Sequence, residues 1–288
     1  MSAAGTLGSS MVSLAAAALL ASCAQSPRVP PTGVERMYVF DCGENQTKDV
    51  SPWSPGANAG KYWEFSDHCY LIRHAKGLML WDAGIADSIA DSPEGVTRGR
   101  GAIRSIVRKT LSSQLAEIGV KPEEVTHIAF SHSHGDHVGN ANYFTQAKLH
   151  IQEAEYEAAF GPNAAKFGFE PSNYDKLSSN SVLKLNGDYD VFGDGSVTIL
   201  STPGHTPGHQ SLLVRLPKRG AVVLSGDLTH FEDNWVNRRV PIFNFSQEQS
   251  LKSMERIAAV LKVNKAQLWI NHDKEQSAGI PKAPAYIE

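Results

Sequence analysis

The chain has 288 residues, of which 41% are hydrophobic and 20% are charged. A chain of this size can bury a sizeable core, and its composition argues against intrinsic disorder. Its 27 basic and 30 acidic residues give a net charge of -3 without a long run of like charge. This balance argues against nucleic acid as a partner.

The N-terminal segment differs from the rest of the chain. Residues 11–22, MVSLAAAALLAS, form an apolar run that is too short to cross a bilayer comfortably and ends in small residues before Cys23. This pattern predicts a signal peptide over residues 1–22 and a polar, Pro-rich linker over residues 23–35. A buried N-terminal helix is the alternative. The tetrapeptide LASC that ends at Cys23 resembles the lipobox of bacterial lipoproteins, which implies cleavage before Cys23 and lipidation of its thiol.

These features predict an exported protein, either periplasmic or anchored to a membrane as a lipoprotein, with secretion as the alternative. Ala24 is not the aspartate that is associated with inner-membrane retention, so we expect an outer-membrane anchor, and the lipid as the only contact with the membrane. Cys42 and Cys69 would then lie in an oxidising compartment. There they could form a disulfide, or they could be two buried free thiols.

From residue 36 to residue 288 the chain alternates short apolar runs with polar turns, which predicts a single layered α/β domain. Eight apolar runs have the length and composition of strands; they are residues 37–40, 69–74, 78–84, 127–133, 197–200, 211–216, 221–227 and 267–273. Three longer segments have helical character; they are residues 103–119, 153–161 and 246–263. The last begins with Ser246, a predicted N-cap, and Gln249 follows three residues later.

Reactive residues follow four of the predicted strands. HIAF leads into SHSHGDH, VTIL into STPGH, AVVLS into GD, and QLWI into NHD. Loops at one edge of a sheet are where a rigid scaffold usually carries its chemistry. The four strand ends therefore supply the candidates for a functional site.

The stretch SHSHGDHVGN predicts a metal site. Because residues i and i+2 of an extended segment point to the same side, His132 and His134 can converge on one ion. A glycine then permits a reversal, after which Asp136 and His137 can serve a second ion. A catalytic zinc usually has three protein ligands and an open position, so further ligands must come from elsewhere. The candidates that each follow an apolar strand are His205, Asp227 and His272.

Nitrogen and oxygen ligands of this kind suit zinc, and iron, cobalt and manganese are the alternatives. A loose His-rich chelator or a solvated loop is the competing interpretation of the same stretch. The alternating spacing directly after a strand favours the metal site.

The order His-x-His-x-Asp-His, TPGHTPGH, SGD and a late histidine resembles the metallo-beta-lactamase fold superfamily of dinuclear hydrolases. The resemblance implies an αββα sandwich with the site at one edge of its two sheets. It also implies which residues hold each ion, with Asp227 between the two. The first ion would be held by His132, His134 and His205, and the second by Asp136, His137 and His272.

Other segments, namely MYVFDCG, CYLIRHAKGLMLWDAG, TPGHTPGHQSLLV and INHDKEQ, resemble the N-acyl homoserine lactonases, the quorum-quenching branch of this superfamily. The carboxylate of Asp227 argues against the beta-lactamases, which lack it. Many of these lactonases have a tyrosine three residues beyond the bridging aspartate. This chain has His230 there, as does a subset of exported lactonases.

The resemblance implies that the protein opens the lactone ring of N-acyl homoserine lactones by attack of a metal-bridging hydroxide. We expect His230 and the first metal to polarise the lactone carbonyl, and Asp136 to carry the proton to the leaving ring oxygen. Trp235, Phe243 and Phe245 are the predicted walls of an apolar groove for the acyl chain.

Three questions remain open at this level. A phosphotriesterase or another esterase of the same fold is the alternative activity, and a non-catalytic metal-binding protein is a remote one. His209, the second histidine of TPGHTPGH, is expected to have a supporting role rather than to bind metal. The oligomeric state is not determined by the sequence, which is compatible with a homodimer.

Overall fold

We analysed a computed structural model, which describes residues 1–5, 33–98 and 101–288. Residues 33–288 lie in one compact unit. Residues 6–22 of the predicted signal peptide, most of the predicted linker and the lipidation of Cys23 fall outside the described residues. Within the described ranges, no helix has the length and hydropathy that a membrane span requires.

The first strand begins earlier than the predicted domain boundary. Val34 is buried and pairs with His74, and the backbone N–H of Gly33 donates to the Asp194 carboxylate at 3.1 Å. The linker was predicted to run through residue 35, but Gly33 and Val34 already belong to the folded domain. Burial of Val34 against its neighbour strand is what makes these residues part of the domain.

In the described part of the chain, the strands in chain order are β1 Val34–Thr47, β2 Trp63–His74, β3 Gly77–Trp81, β4 Val96–Arg98, β5 Ile103–Ile106, β6 His127–Ala129, β7 Lys148–Gln152, β8 Val182–Leu185, β9 Tyr189–Asp190, β10 Val197–Ser201, β11 Gln210–Leu216, β12 Gly220–Leu224, β13 Gln267–Trp269 and β14 Tyr286–Ile287. The α-helices are α1 Leu111–Glu117, α2 Gly135–Val138, α3 Glu153–Ala159, α4 Glu232–Asn237, α5 Gln247–Asn264 and α6 Lys274–Ala278. Each of the eight predicted strand segments overlaps one of these strands.

Two sheets lie at the centre of the molecule. The larger sheet has the order β4-β5-β1-β2-β3-β6-β7-β8, with β14 also paired to β1, and the smaller has the order β13-β12-β11-β10-β9. β3, β6 and β7 run parallel to one another, as do β12 and β13. The carboxyl ends of parallel strands meet at one edge of a sheet, which is where the reactive loops begin.

Alternation along the strands sends apolar side chains to both faces of the larger sheet. Met37 and Val39 of β1 belong to the cluster between the two sheets, to which the smaller sheet contributes Leu212. On the other face, Phe40 of β1 shares a cluster with Leu115 of α1. The larger sheet is therefore covered by helices on one side and by the smaller sheet on the other.

The outer face of the smaller sheet is covered by α5. Leu213 of β11 and Val223 of β12 pack with Met254 and Ile257 of that helix. The order of layers is helices, sheet, sheet, helix, which confirms the predicted αββα sandwich.

The predicted helices agree with the structure in two of three cases. α3 and α5 lie where helices were expected, and Ser246 caps α5 by accepting a hydrogen bond from the backbone N–H of Gln249. The helix predicted for residues 103–119 is wrong in its first half, where β5 pairs with β1 before Thr110 caps the short helix α1. A short run such as IRSIV fits the helical period as well as a strand, and pairing with a neighbour decides between them.

Cys42 and Cys69 form a disulfide that joins β1 to β2. Both residues are buried. Of the two alternatives that the sequence left open, the structure has the disulfide.

Candidate metal centre

All seven predicted ligands lie together at one edge of the sandwich. His132, His205, Asp227 and His272 each follow the end of a strand by three or four residues, after β6, β10, β12 and β13 respectively. The remaining three ligands come from the same loop as His132, where α2 begins; they are His134, Asp136 and His137.

The first cluster consists of His132, His134 and His205. The His134 Nδ1 atom lies 2.8 Å from His132 Nε2 and 3.0 Å from His205 Nε2, so three ring nitrogens face one point. The far nitrogens donate to carbonyl oxygens, at 2.9 Å from His134 Nε2 to Phe167 O and at 2.9 Å from His205 Nδ1 to Asn244 Oδ1. These bonds fix the tautomers that leave lone pairs pointing at the shared centre.

The second cluster consists of Asp136, His137 and His272. Its imidazoles are oriented in the same way, because His272 Nδ1 donates to the backbone carbonyl of Ser66 at 2.7 Å and His137 Nδ1 donates to the Asp82 carboxylate at 3.1 Å. In both rings Nε2 is left to face the cluster.

Asp227 lies between the two clusters. Its Oδ2 atom is 3.3 Å from His205 Nε2 and 3.8 Å from His132 Nε2, and its Oδ1 atom is 3.2 Å from His137 Nε2 and 3.0 Å from His272 Nε2. Each carboxylate oxygen therefore faces a different set of imidazoles. This is the position that a ligand shared by two ions must occupy.

These residues fit two divalent cations. His137 Nε2 and Asp227 Oδ1 are buried and lie 3.2 Å apart, yet neither forms a hydrogen bond within the described chain. Burying such atoms without a partner costs about 1–3 kcal/mol each, and two cations would satisfy both. The donors are imidazole nitrogens and carboxylate oxygens without a thiolate, which is a set that zinc accepts.

The charges of the site also favour cations. Burial lowers the pKa of His132 and of His205, which keeps both rings in the neutral form that binds metal. At Asp136, burial is outweighed by the neighbouring imidazoles of His137 and His272, which lower its pKa to about 2, so that this carboxyl is ionised at neutral pH. Although burial acts in the opposite direction, the Asp227 carboxylate raises the pKa of His137 and of His272, the latter to about 9, so these two rings hold protons that bound cations would displace.

His230 lies against the first cluster. Its Nε2 atom is 3.0 Å from Asp227 Oδ2, and its ring stacks on that of His272 with the ring centres 5.4 Å apart. The ring is buried, and its Nδ1 atom has no hydrogen-bond partner in the described chain. His230 is therefore close enough to act at the centre, and its assistance to a lactone carbonyl stays a prediction.

A cavity of about 270 Å³ opens over the centre. One part of its wall is aromatic. There the centre of the Trp53 ring lies 5.3 Å from the ring centres of both Phe65 and Phe243. Polar side chains from other elements complete the wall; they include Asn45, Arg98 and Glu170.

The three residues predicted to wall an acyl-chain groove do not all lie at the cavity. Phe243 lines the cavity, but Trp235 and Phe245 do not. Trp235 packs against the cluster under α5, and the Arg238 guanidinium lies 4.4 Å above its ring. Phe245 is exposed and contacts Phe167. The chain after His230 turns into α4, which carries Trp235 away from the cavity.

Residues 63–261 match the family model of the metallo-beta-lactamase superfamily. The chain belongs to this superfamily. It is 31% identical over 261 residues to the N-acyl homoserine lactonase AttM of Azorhizobium caulinodans, which covers 88% of this chain and 98% of the relative. It is 34% identical over 259 residues to an N-acyl homoserine lactonase of Bacillus cereus, which covers 88% and 99%. The predicted superfamily and its lactonase branch are confirmed.

Solved structures of the superfamily agree with the fold. An N-acyl homoserine lactone hydrolase with the product N-hexanoyl-L-homoserine bound at its catalytic metal centre has a TM-score of 0.77 and 30% sequence identity, and the match covers 88% of this chain and 99% of that one. AidC, a dizinc quorum-quenching lactonase, has a TM-score of 0.62 at 17% identity and supports the fold alone.

Sequence reasoning missed the residues that orient the predicted ligands. Asp82, Asn244 and Asn45 hold His137, His205 and Asp136 respectively. Asp82 lies in WDAG, part of a segment that resembles the lactonases, whereas nothing in the sequence marks Asn45 or Asn244.

His209 has the supporting position that was expected. Its Nε2 atom accepts the backbone N–H of Asp227 at 2.9 Å, and its Nδ1 atom donates to Thr202 O at 3.0 Å. With both nitrogens engaged, His209 holds the bridging aspartate rather than a metal.

Proposed function

We propose that this protein is a metal-dependent hydrolase that opens the lactone ring of N-acyl homoserine lactones. The observation that carries the proposal is the position of Asp227, whose two oxygens face two separate sets of imidazoles below a cavity with an aromatic wall. The named relatives, which match 87 to 88% of this chain, are N-acyl homoserine lactonases.

We propose two zinc ions as the cofactor. His132, His134 and His205 would hold the first ion, Asp136, His137 and His272 the second, and Asp227 both. Two divalent ions at such a centre supply hydroxide near neutral pH and polarise a carbonyl group. The ligand types favour zinc over the oxygen-rich sites of magnesium or calcium.

The protein's own groups orient the substrate and move its proton. His230, adjacent to the first cluster, is placed to donate a hydrogen bond to the lactone carbonyl oxygen, on which negative charge develops. Asp136 is ionised and held by the Asn45 amide at 2.8 Å, so it can take up a proton and deliver it to the ring oxygen that leaves. The aromatic wall of Trp53, Phe65 and Phe243 provides apolar surface for an acyl chain.

The test is a product assay on the purified protein loaded with zinc. N-acyl homoserine lactones of short and long acyl chain are incubated with it, and mass spectrometry follows the ring-opened acid, which is heavier by one water. An aryl phosphotriester is assayed in parallel. We expect the lactones to be opened far faster; faster hydrolysis of the phosphotriester, or no ring opening, would refute the proposed substrate class.

We also propose that the protein is exported and is lipidated on Cys23 after removal of residues 1–22. The disulfide between Cys42 and Cys69 supports an oxidising compartment, because such bonds rarely persist in the cytosol. Cell fractionation with mass spectrometry of the N-terminal peptide tests this. The wild type should sediment with outer membranes and Cys23→Ser should not; an uncleaved, cytosolic wild type would refute it.

A further inference from the structure

Arg98 is the one arginine or lysine among the described residues that line the cavity. It ends β4 and is partly buried. Arg98 is not among the proposed ligands or proton-transfer residues, although its charge helps to lower the pKa of Asp136. Its position in the cavity wall therefore calls for a role in binding the substrate.

The guanidinium of Arg98 is held in one orientation. Its Nε and Nη2 atoms both donate to Ser105 Oγ, at 3.1 and 2.7 Å. Ser105 Oγ donates in turn to Asn45 Oδ1 at 2.5 Å, and Asn45 Nδ2 donates to Asp136 at 2.8 Å. The side chain is thus anchored to the same network that positions Asp136, and binding a ligand costs little ordering of Arg98.

The third nitrogen of this guanidinium is free to bind a ligand. Within the described ranges, Arg98 forms no ion pair and its Nη1 atom donates no hydrogen bond. An arginine donor at a cavity wall binds oxygen acceptors, and it does so more strongly than a neutral donor.

The space in front of Nη1 is kept open by Gly135. The position that a Cβ atom would take on Gly135 lies 3.3 Å from Arg98 Nη1 and 3.4 Å from Asn173 Nδ2, with Glu170 Oε2 at 4.0 Å. Two N–H donor groups thus converge beside a residue that has no side chain. An acceptor oxygen in this space could bind both.

We propose that Arg98 and Asn173 bind a carbonyl oxygen of the acyl-amide substituent of the substrate. The inference rests on the proposed function, because N-acyl homoserine lactones carry an amide carbonyl next to the ring, and 3-oxoacyl forms carry a second carbonyl on the chain. The aromatic wall can bind the hydrocarbon of either form. The donors beside Gly135 select lactones that bear such an oxygen over simple lactones.

The test compares kcat/KM for three substrates. They are a γ-alkyl lactone without an acyl-amide group, an N-acyl homoserine lactone, and the 3-oxoacyl form of that lactone with the same number of chain carbons. In Arg98→Met we expect kcat/KM to fall about tenfold more for the amide-bearing lactones than for the simple lactone, since a hydrogen bond from a charged donor is lost. An additional loss confined to the 3-oxoacyl form identifies the chain oxygen, and an equal loss on both acyl homoserine lactones identifies the amide oxygen.

Two further variants keep the test decisive. Gly135→Ala places a methyl group in the space for the oxygen and should show the same selective loss, with the arginine intact. The control is Arg104→Met on the adjoining strand, where the half-buried Arg104 pairs with Glu94 outside the cavity; the ratio between substrates should not change. Zinc content and melting temperature are measured for each variant.

An equal loss on all three substrates in both Arg98→Met and Gly135→Ala would overturn the inference, because Arg98 would then act through Asp136 or through folding. Failure of the proposed function gives a different result. In that case the wild type itself would not open N-acyl homoserine lactones.

Discussion

Five imidazole nitrogens lie within 3.8 Å of the Asp227 carboxylate, three at Oδ2 and two at Oδ1. A carboxylate bound in this way is strongly stabilised in its ionised form, and at Asp227 the pKa is lowered by His272 and His230 despite the opposing effect of burial. Residues outside the ligand set, such as His209 at the Asp227 backbone, keep the geometry fixed.

Asp136 differs from the other ligands because it is assigned a proton-transfer role as well. Asp136→Asn keeps the size of the side chain and removes its charge. We expect kcat for lactone opening to fall at least a hundredfold, since general acid–base catalysis contributes about that much, together with weaker binding of the second zinc. Steady-state kinetics with metal analysis measure both effects.

The matched control is Asp91→Asn, which changes an exposed aspartate outside the cavity and should leave kcat and zinc content as in the wild type. An Asp136→Asn variant with full turnover and two zinc ions would show that this carboxylate has neither role.

His230 occupies the position where many related lactonases have a tyrosine. His230→Phe keeps a ring but removes the donor, and we expect kcat to fall about a hundredfold, which is typical for loss of one donor to a developing oxyanion. His230→Tyr restores a donor and should recover part of that loss. If both variants hydrolyse lactones at the wild-type rate, the donor role of His230 is wrong.

At the scale of elements, the sequence located eight of the fourteen strands in the described part of the chain, but not their lengths. The apolar runs of β2, β3 and β11 identified their strands, but the polar residues 41–47 that extend β1 carry no strand signal. They are in a strand because β2 and β5 pair with them on either side. Pairing between distant segments also made a strand of residues 103–106, where the local pattern favoured a helix.

The disulfide reinforces the β1–β2 pair, and its loop length predicts its effect. It closes a loop between residues 27 apart, and the chain-entropy model gives a contribution of about 3.5 kcal/mol to the free energy of unfolding. We expect Cys42→Ser/Cys69→Ser to lose about this much in urea unfolding. Reductant should destabilise the wild type to a similar extent and leave the double variant unaffected. Equal stability of the wild type and the double variant, without reductant, would refute this expectation.

At the scale of the whole molecule, the candidate metal ligands were predictable from the sequence and the walls of the cavity above them were not. The candidate ligands follow strands and have characteristic spacings, and the structure brings all seven together. The cavity wall is assembled from side chains such as Trp53 and Arg98 whose neighbours are remote in sequence. No local pattern distinguishes such an aromatic residue from one in the core, which is why Trp235 was misplaced.

The buried His68 links the stability of the whole fold to pH. Its Nδ1 atom donates to Asn271 O at 3.1 Å and its Nε2 atom accepts from Ser277 Oγ at 2.8 Å, and burial lowers its pKa from 6.5 to about 3. Between these two values the unfolded chain binds a proton that the folded chain does not. Stability from this group is therefore complete above pH 6.5 and falls as the pH decreases toward 3.

We expect the wild type to lose about 2 kcal/mol more free energy of unfolding than His68→Gln when the pH is lowered from 7 to 5. Urea unfolding of both proteins at the two pH values measures this difference. Any loss of stability through metal release at the lower pH affects both proteins and therefore cancels in the comparison. A wild type and variant with parallel pH dependence would show that His68 is not the group responsible.

The dinuclear centre is tested most directly by returning zinc to metal-free protein while lactone opening is measured. A chelator is used to remove the metal, and zinc is then added in steps to the wild type and to Asp227→Asn. The wild type should show no activity without metal and should reach full activity at two zinc ions per chain, whereas Asp227→Asn should bind zinc more weakly and stay at least a hundredfold less active. Full activity of the metal-free protein, or saturation at one zinc ion per chain, would contradict a hydrolase built on two metals.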